Sequence, residues 1–160
     1  MSMRVGTEAA EDIVLHSTSR QIERVIDYFR RVDAGKFPTE LFARNFQFYF
    51  PKYGVGQGAA EFMDMAQRVG TSVIRSSVHN TEDFVFIEQG NRVAAEGTTR
   101  GTGRDGVEWH GGRTSGGRFC SIFVFDPDGL IERMHIYLDP DFTGRNREDF
   151  LAPERAPQRW

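Results

Sequence analysis

The chain has 160 residues, and its 20 Lys and Arg against 23 Asp and Glu give a formal net charge of -3. This length predicts a single domain, 1–160, with a sizeable buried core. The weak negative charge supplies no basic field for nucleic acid, and no apolar run approaches the ~20 residues that a membrane span needs. Residues 1–11 lack the order of a signal peptide, so we expect a cytoplasmic protein.

Helical patterns occupy the first half of the chain. Apolar residues recur at steps of three and four over residues 19–34, and Gly35 follows them. This spacing predicts an amphipathic helix that ends at the glycine. A short helical turn is predicted at 39–43, where Pro38 fixes the entry, and a strand is predicted at 45–50.

A second helix is predicted at 59–69, between a glycine-rich loop at 54–58 and Gly70. The glycines of the loop lack the spacing and the strand-to-helix context of a phosphate loop. The segments 73–88 and 92–102 are rich in β-branched and aromatic residues, and each predicts a long strand.

Glycine is abundant between residues 101 and 117, with Trp109 and His110 in the middle of this segment. The composition favours an extended, mobile hairpin end, either a lid or a dimer contact. Two further strands are predicted at 119–125 and 130–138, because the intervening Asp-Pro-Asp-Gly sequence at 126–129 is a strong turn signal.

A helical first half followed by consecutive strands predicts an α+β fold, with helices packed on one face of a curved antiparallel sheet. The core is expected within about 19–142, and the polar, proline-containing tail 143–160 is expected to be partly ordered. The single cysteine, Cys120, cannot form an internal disulfide and is expected to be a buried structural thiol.

The order and spacing of these elements resemble the nuclear transport factor 2-like superfamily, a cone-shaped cystatin-like fold, and within it the SnoaL-like branch. The resemblance covers about residues 19–142. It is carried by short segments at 32–37, 56–58, 90–94, 128–132 and 137–140. It implies a cup that binds small molecules and a homodimer packed through the outer sheet face. Cyclases, dehydratases, isomerases, epoxide hydrolases and plain binding proteins share this cup, so the resemblance does not select one function.

Strand alternation divides the last predicted strand into two faces. One face carries His135, Tyr137 and Asp139, and the other carries Met134, Ile136 and Leu138. A His, Tyr and Asp row would suit proton transfer. The resemblance to SnoaL-like cyclases instead places the catalytic position of this strand at Ile136, so that the apolar face lines the cavity and the polar row faces outward or a partner subunit.

The epoxide hydrolase-like pattern requires an arginine and an aspartate in the third strand. The resemblance aligns these positions with Gly97 and Thr99, which cannot perform that chemistry. Epoxide hydrolysis is therefore disfavoured, and inward-facing Ala95, Gly97 and Thr99 are expected to leave room for a ligand.

His79 is the main catalytic candidate, because its distance from Gly90 resembles that of a pocket histidine in scytalone dehydratase-like and bile acid dehydratase-like members. Asp33 matches an acidic position of the scytalone dehydratase-like enzymes. A histidine held by a carboxylate can remove a proton next to a carbonyl group. The alternatives are a helix-end role for Asp33 and a hydrogen-bonded strand histidine for His79.

Phe50 aligns with the tyrosine of the dehydratase-like pattern, so Tyr53 is the candidate phenol in its place. Trp109 and His110 are expected either to cap the cavity or to form an exposed loop pair. The histidines show no paired ligand spacing, so no metal site is predicted, and the resemblance implies no cofactor.

Fourteen phenylalanines predict an apolar interior and hence a small hydrophobic ligand. The ligand-binding residues are predicted to be Phe50, Phe62, Met65, Met134, Ile136, Leu138 and Trp109. Two functions remain open: a cofactor-free lyase or isomerase that acts on an apolar ketone or polyketide-like substrate through His79, with Asp33 or Tyr53 assisting, and a non-catalytic binding protein of the same fold.

Overall fold

The structure is a computed structural model that describes residues 19–114 and 116–145. Two α-helices and eight β-strands form this part of the chain. They are α1 (Arg20–Asp33), β1 (Phe42–Phe50), β2 (Gly54–Gln57), α2 (Gly58–Ser72), β3 (Ile74–His79), β4 (Val85–Gln89), β5 (Arg92–Gly103), β6 (Glu108–His110), β7 (Arg118–Phe125) and β8 (Ile131–Leu138). Short 3-10 turns lie at Thr39–Leu41 and Thr81–Asp83.

Helix α1 begins and ends close to the predicted residues. The hydroxyl of Ser19 accepts a hydrogen bond from the backbone N–H of Ile22 at 3.1 Å, which satisfies one of the free amides of the first turn. After Asp33 the chain reverses at Gly35, whose positive φ of 72° suits glycine. The helix therefore ends with the Asp33 side chain at its last position, close to β3.

The long strand β5 organises the sheet, whose order is β2-β1-β8-β7-β5-β3. The first half of β5 pairs with β4 and β7, and its second half pairs with β3 and β6. Its twelve residues allow the sheet to curve around the helices. The predicted α+β fold with a curved sheet is confirmed, although β1 and β8 pair in parallel and the sheet is therefore mixed.

Four boundaries differ from the sequence prediction. Strand β1 begins at Phe42 rather than at residue 45. Residues 54–57 form the edge strand β2 rather than a loop. Helix α2 continues through Gly70 to Ser72, because a glycine inside a helix costs only about 1 kcal/mol and does not by itself end it. The predicted strand 73–88 is two strands, β3 and β4, separated by the turn Thr81–Asp83.

The glycine-rich segment begins inside β5, and its residues 108–110 pack against that strand. Strand β6 pairs with β5, and the ring of Trp109 is buried in the core. A Cβ atom at Gly101 would lie 2.1 Å from the carbonyl oxygen of Ser76 and 2.5 Å from the Trp109 ring. This glycine therefore permits close packing, whereas the sequence analysis attributed the local abundance of glycine to an extended, mobile hairpin end.

Aromatic side chains from both layers form the core. Phe46, Phe48 and Phe123 are fully buried, and Phe46 stacks on Phe42 with a centroid distance of 4.2 Å. Cys120 on β7 is half-buried, and burial, followed by the charge of Glu96, raises the pKa of its thiol. Of the predicted tail, residues 146–160 lie outside the described residues.

Candidate functional site

A cavity of about 460 Å³ lies between the two helices and the concave face of the sheet. Most of its wall is apolar. Six of the seven predicted ligand-binding residues line it: Phe50, Phe62, Met65, Met134, Ile136 and Leu138. A cavity of this volume accommodates a small organic molecule.

Asp33 and His79 meet at the wall of this cavity, and both line it. Nδ1 of His79 lies 2.6 Å from Oδ1 of Asp33, and the backbone N–H of His79 donates to Oδ2 at 2.9 Å. An ionised carboxylate only accepts, so Nδ1 carries the hydrogen and the lone pair of the neutral ring lies on Nε2. The carboxylate thus fixes both the tautomer and the orientation of the imidazole.

Phenylalanine rings enclose the His79 imidazole. Its centroid lies 4.7 Å from that of Phe29, 5.2 Å from that of Phe119 and 6.5 Å from that of Phe84. The side chains of His79 and Asp33 are 19% and 16% exposed. The pair therefore lies in a largely apolar environment, where few competing water contacts weaken its hydrogen bonds.

Tyr28 is a cavity residue that the sequence analysis missed. It lies on the buried face of α1 and lines the cavity. Burial, followed by the negative charge of Asp33, raises the pKa of Tyr28, so the phenol stays protonated. The helical spacing of Tyr28 from Val32, which also lines the cavity, was the signal that could have identified it.

Tyr53 does not line this cavity. Its side chain is 41% exposed, and its hydroxyl donates to Oε1 of Glu61 at 2.8 Å. Hydrogen bonding to Glu61, followed by a small effect of burial, raises the pKa of Tyr53. The structure therefore brings Asp33 and His79 together and leaves Tyr53 outside this group.

Trp109 also lies apart from the cavity lining. Its ring is 1% exposed, lies 5.0 Å from that of Phe142, and its Nε1–H donates to the hydroxyl of Thr99 at 3.0 Å. Trp109 neither caps the cavity nor belongs to an exposed loop pair, because Gly101 of β5 and Gly117 before β7 let the indole pack closely against the sheet. His110, its neighbour, is exposed.

The inward positions of β5 leave less space than expected. A Cβ atom at Gly97 would lie 2.6 Å from the Phe84 ring and 3.1 Å from the Phe119 ring. These rings occupy the space that the sequence analysis assigned to a ligand. Of the three inward positions, only Thr99 lines the cavity, and its hydroxyl donates to the carbonyl oxygen of Gly117 at 3.3 Å.

His135 lies outside the cavity lining, in a shallow depression on the outer face that Tyr49 and Tyr137 share. Nδ1 of His135 lies 3.2 Å from the hydroxyl of Tyr137, which is 47% exposed. Burial, followed by the charges of Arg133 and Arg92, lowers the pKa of His135. The alternation expected for β8 is therefore observed, with apolar side chains inside and the polar row outside.

Arg75 and Ser77 also line the cavity, and the sequence analysis did not select them. Ser77 precedes His79 on β3 by two residues, and strand alternation was the signal that could have identified it. Arg75 lies at a register shift of β3, for which the sequence has no local signal. Within residues 19–114 and 116–145, no group of three His, Cys, Asp or Glu side chains is arranged to hold a metal ion. No helix among these residues is long and apolar enough to cross a membrane.

Comparison with solved structures places this fold among known proteins. A nuclear transport factor 2-like protein of unknown function from Burkholderia pseudomallei is 19% identical, with a TM-score of 0.67 over 80% of this chain and 97% of that one. TerC, crystallised with polyporic acid, is 21% identical, with a TM-score of 0.62 over 76% of this chain and 92% of that one.

A putative polyketide cyclase from Pseudomonas putida is 20% identical, with a TM-score of 0.60 over 78% of this chain and 96% of that one. No curated protein matches the sequence. The model of the SnoaL-like domain matches residues 22–134, which include both Asp33 and His79. The chain therefore belongs to the SnoaL-like family, and its fold is that of the nuclear transport factor 2-like structures.

Proposed function

We propose that this protein is a cofactor-free lyase or isomerase that removes a proton next to a carbonyl group, with His79 as the general base. The family and its cyclase-like relatives support a small-molecule cyclase, isomerase or binding role. The observation that carries the enzymatic choice is the double hydrogen bond from His79 to Asp33 at the cavity wall.

Asp33 acts on the imidazole in two ways. Its contact with Nδ1 leaves Nε2 as the basic atom, and its negative charge stabilises the imidazolium that forms when Nε2 takes a proton. Its second contact, to the backbone N–H of His79, fixes the carboxylate itself. Asp33 is therefore a positioning residue, and His79 is the proposed catalytic residue.

Tyr28 is the proposed hydrogen-bond donor to the substrate carbonyl. Its phenol lines the same cavity and stays protonated, because burial and Asp33 both raise its pKa. A neutral donor in an apolar cavity stabilises the negative charge that develops on the carbonyl oxygen as the proton leaves. Tyr53 has no part in this proposal, since its hydroxyl contacts Glu61.

The apolar wall supports an apolar ketone or polyketide-like substrate. Phe62 and Met65 contribute from α2, and Ile136 contributes from β8. TerC was crystallised with polyporic acid, and the relative from Pseudomonas putida is a putative polyketide cyclase, which agrees with a small organic ligand. Substrate binding in such a wall depends mainly on the apolar area removed from water.

The test measures proton exchange on a simple ketone. 1-Tetralone is incubated with the protein in D₂O, and NMR follows the loss of the protons next to its carbonyl group. We expect the wild-type protein to accelerate exchange and His79→Ala to lower the rate at least about 100-fold, the contribution typical of a general base. Calorimetry should show that the affinity of His79→Ala for 1-tetralone differs from that of the wild type by less than about tenfold.

His135→Ala is the matched control, because it removes the same side chain from the outer face of the sheet. It should leave the exchange rate within about twofold of the wild type. Equal losses in the two variants, or retention of exchange in His79→Ala, would contradict the proposal.

The second candidate is a binding protein without catalysis, and Ile136 favours it. This residue occupies the position where the cyclase-like pattern requires a carboxylate, and it lines the cavity. An isoleucine cannot transfer a proton. Tight binding of 1-tetralone and of larger aromatic ketones without any exchange by the wild-type protein would select this function.

We also propose that the outer sheet face forms a homodimer. It exposes Ile87 (69%), Val85 (59%) and Tyr137 (47%), and burial of such side chains favours association. Sedimentation velocity at tens of micromolar should give twice the mass of the chain, and a monomeric mass would contradict the proposal.

A further inference from the structure

Strand β3 carries four polar residues along one edge of the cavity. Ser77 and His79 share one face of the strand, and Arg75 and Ser76 line the cavity next to them. A register shift between Ile74 and Ser76 places a bulge at Arg75. A bulge turns neighbouring side chains toward the same side, and both Ile74 and Arg75 line the cavity.

Arg75 is exposed, and its positive charge has no partner in the described part of the chain. Among residues 19–114 and 116–145, no ion pair or side-chain hydrogen bond involves Arg75. Asp33, the one carboxylate among the described residues that line the cavity, already holds His79 through two hydrogen bonds. A guanidinium presents five donors in a planar fork, which matches a carboxylate that approaches from the cavity.

The wall formed by β8 is apolar, whereas Arg118 and Ser121 of β7 also line the cavity. Met134, Ile136 and Leu138 of β8 line the cavity with apolar side chains. The cavity therefore has a polar edge along β3 and an apolar wall across from it. A ligand that matches both carries its polar groups along one edge and at its ends.

We propose that Arg75 is a specificity residue that binds an ionised carboxylate of the substrate, while His79 acts on the carbon next to a ketone at the other end. The role of His79 in this inference rests on the proposed function, whereas the role of Arg75 does not. At about 3.3 Å per residue, four residues separate the two α-carbons by roughly 13 Å, so we expect the carboxylate and the reacting carbon to lie on the order of 10 Å apart. The substrate class is an elongated aromatic keto acid.

The probe is 4'-acetylbiphenyl-4-carboxylic acid, which carries a carboxylate and an acetyl group at opposite ends of two rings. Its primary amide is the neutral partner of the same shape. Calorimetry at pH 7 should show that the wild-type protein binds the acid at least about tenfold more tightly than the amide, since hydrogen bonds to a charged group contribute about 1.5–3 kcal/mol.

Arg75→Gln should bring the affinities for acid and amide within about twofold of each other and leave amide binding unchanged. Arg75→Lys should restore part of the preference, because it keeps the charge without the planar fork. Arg100→Gln is the matched control. Arg100 lies on β5, the strand that pairs with β3, and it does not line the cavity. It is exposed and donates to the side chain of Asn80 at 2.7 Å, so its loss should preserve the preference for the acid.

Binding and exchange separate the two proposals. A preference for the acid that depends on Arg75, without exchange of the acetyl protons in D₂O, supports the role of Arg75 and contradicts that of His79. Exchange with equal affinity for acid and amide supports His79 and overturns the role of Arg75. Binding of neither probe, or an acid preference that survives Arg75→Gln, also overturns it.

Discussion

His79 and His135 lie on two strands of one curved sheet, and their surroundings differ. The His79 ring is enclosed by Phe29, Phe84 and Phe119 and bonded to a carboxylate. The His135 ring contacts a phenol on the outer face, close to Arg133. The first arrangement fixes the tautomer and orientation of an imidazole inside a cavity. In the second, burial followed by the charges of Arg133 and Arg92 lowers the pKa of the imidazole.

The difference follows from the direction of each side chain and from what packs on that side. Helix α1 covers the concave face, and its last residue, Asp33, supplies the carboxylate for His79. Neither α1 nor α2 covers the outer face at His135, where Arg133 of β8 and Arg92 of β5 supply the charges that act on the imidazole. The fold thus gives the same residue type a chemical role on one face only, and paired substitutions on the two faces can test this.

The largest expected effect is on the free energy of unfolding, when two neighbouring residues of β8 are replaced in turn. Met134 is fully buried on the inner face, whereas Arg133 is exposed on the face of His135. Met134→Ala should lower the free energy of unfolding by about 2–5 kcal/mol, because it leaves a cavity in the core. Arg133→Ala should change it by less than about 0.5 kcal/mol. Urea denaturation at one fixed protein concentration measures both, and equal losses would contradict the assignment of the two faces.

The next effect concerns the carboxylate itself. Asp33→Asn keeps the shape of the side chain but removes the charge that accepts from Nδ1 and from the backbone N–H of His79. We expect a loss of about 1.5–3 kcal/mol in the free energy of unfolding, typical of hydrogen bonds to a charged group.

The matched change on the outer face is Tyr137→Phe, which removes only an exposed hydrogen bond to His135. It should cost less than about 0.5 kcal/mol in the same urea denaturation. A loss for Tyr137→Phe as large as that for Asp33→Asn would show that the two histidines are held equally.

A third effect tests the packing behind His79. Gly97→Ala would place a Cβ atom 2.6 Å from the Phe84 ring, which contacts the His79 ring. We expect a loss of about 1–3 kcal/mol from overpacking, together with slower exchange on 1-tetralone.

Gly70→Ala is the control for this substitution. Gly70 lies inside α2, and nothing lies within 4 Å of an added Cβ atom. The alanine should raise the free energy of unfolding by about 0.5–1 kcal/mol, because it favours the helix. Thermal unfolding distinguishes the two signs, and a stabilised Gly97→Ala would contradict the packing described for β5.

The sequence predicted the fold well where local signals agree. Ser19 and Gly35 bound α1, and the Asp-Pro-Asp-Gly turn joins β7 to β8. It failed where tertiary contacts decide: Gly70 continues a helix that packs on the sheet, and the turn at Thr81–Asp83 divides a run of strand-forming residues. At neither place does the local sequence contain a signal strong enough to predict what the tertiary contacts produce.

The candidate site was likewise predictable in part from the sequence. Strand alternation separated Ile136 from His135, and the resemblance to dehydratase-like members selected Asp33 and His79 together. The buried place of Trp109 was not predictable, because it depends on a contact with Thr99 across two strands. The bulge at Arg75 likewise arises from the pairing of β3 with β5.

The smallest effect is the protonation of His135. Burial, followed by the charges of Arg133 and Arg92, lowers its pKa, so the folded protein binds this proton less tightly than the unfolded chain, whose histidines titrate near about 6.5. The contribution of His135 to stability is therefore constant above that pH and decreases as the pH falls through it. NMR titration of the imidazole Cε1 proton should give a midpoint below about 6.5 in the wild type. It should move upward in Arg133→Gln, because one of the repelling charges is removed.

The same sign must emerge from stability measurements. As the pH falls from about 7.5 to about 5.5, the melting temperature of the wild type should fall relative to that of His135→Ala. Only the wild type has an imidazole here that binds its proton less tightly in the folded than in the unfolded state. Dimerisation through the outer face would bury His135 further and act in the same direction. A midpoint above about 6.5 in the wild type would mean that a negative charge or an acceptor reaches His135 as Asp33 reaches His79, and the contrast between the two faces would then fail.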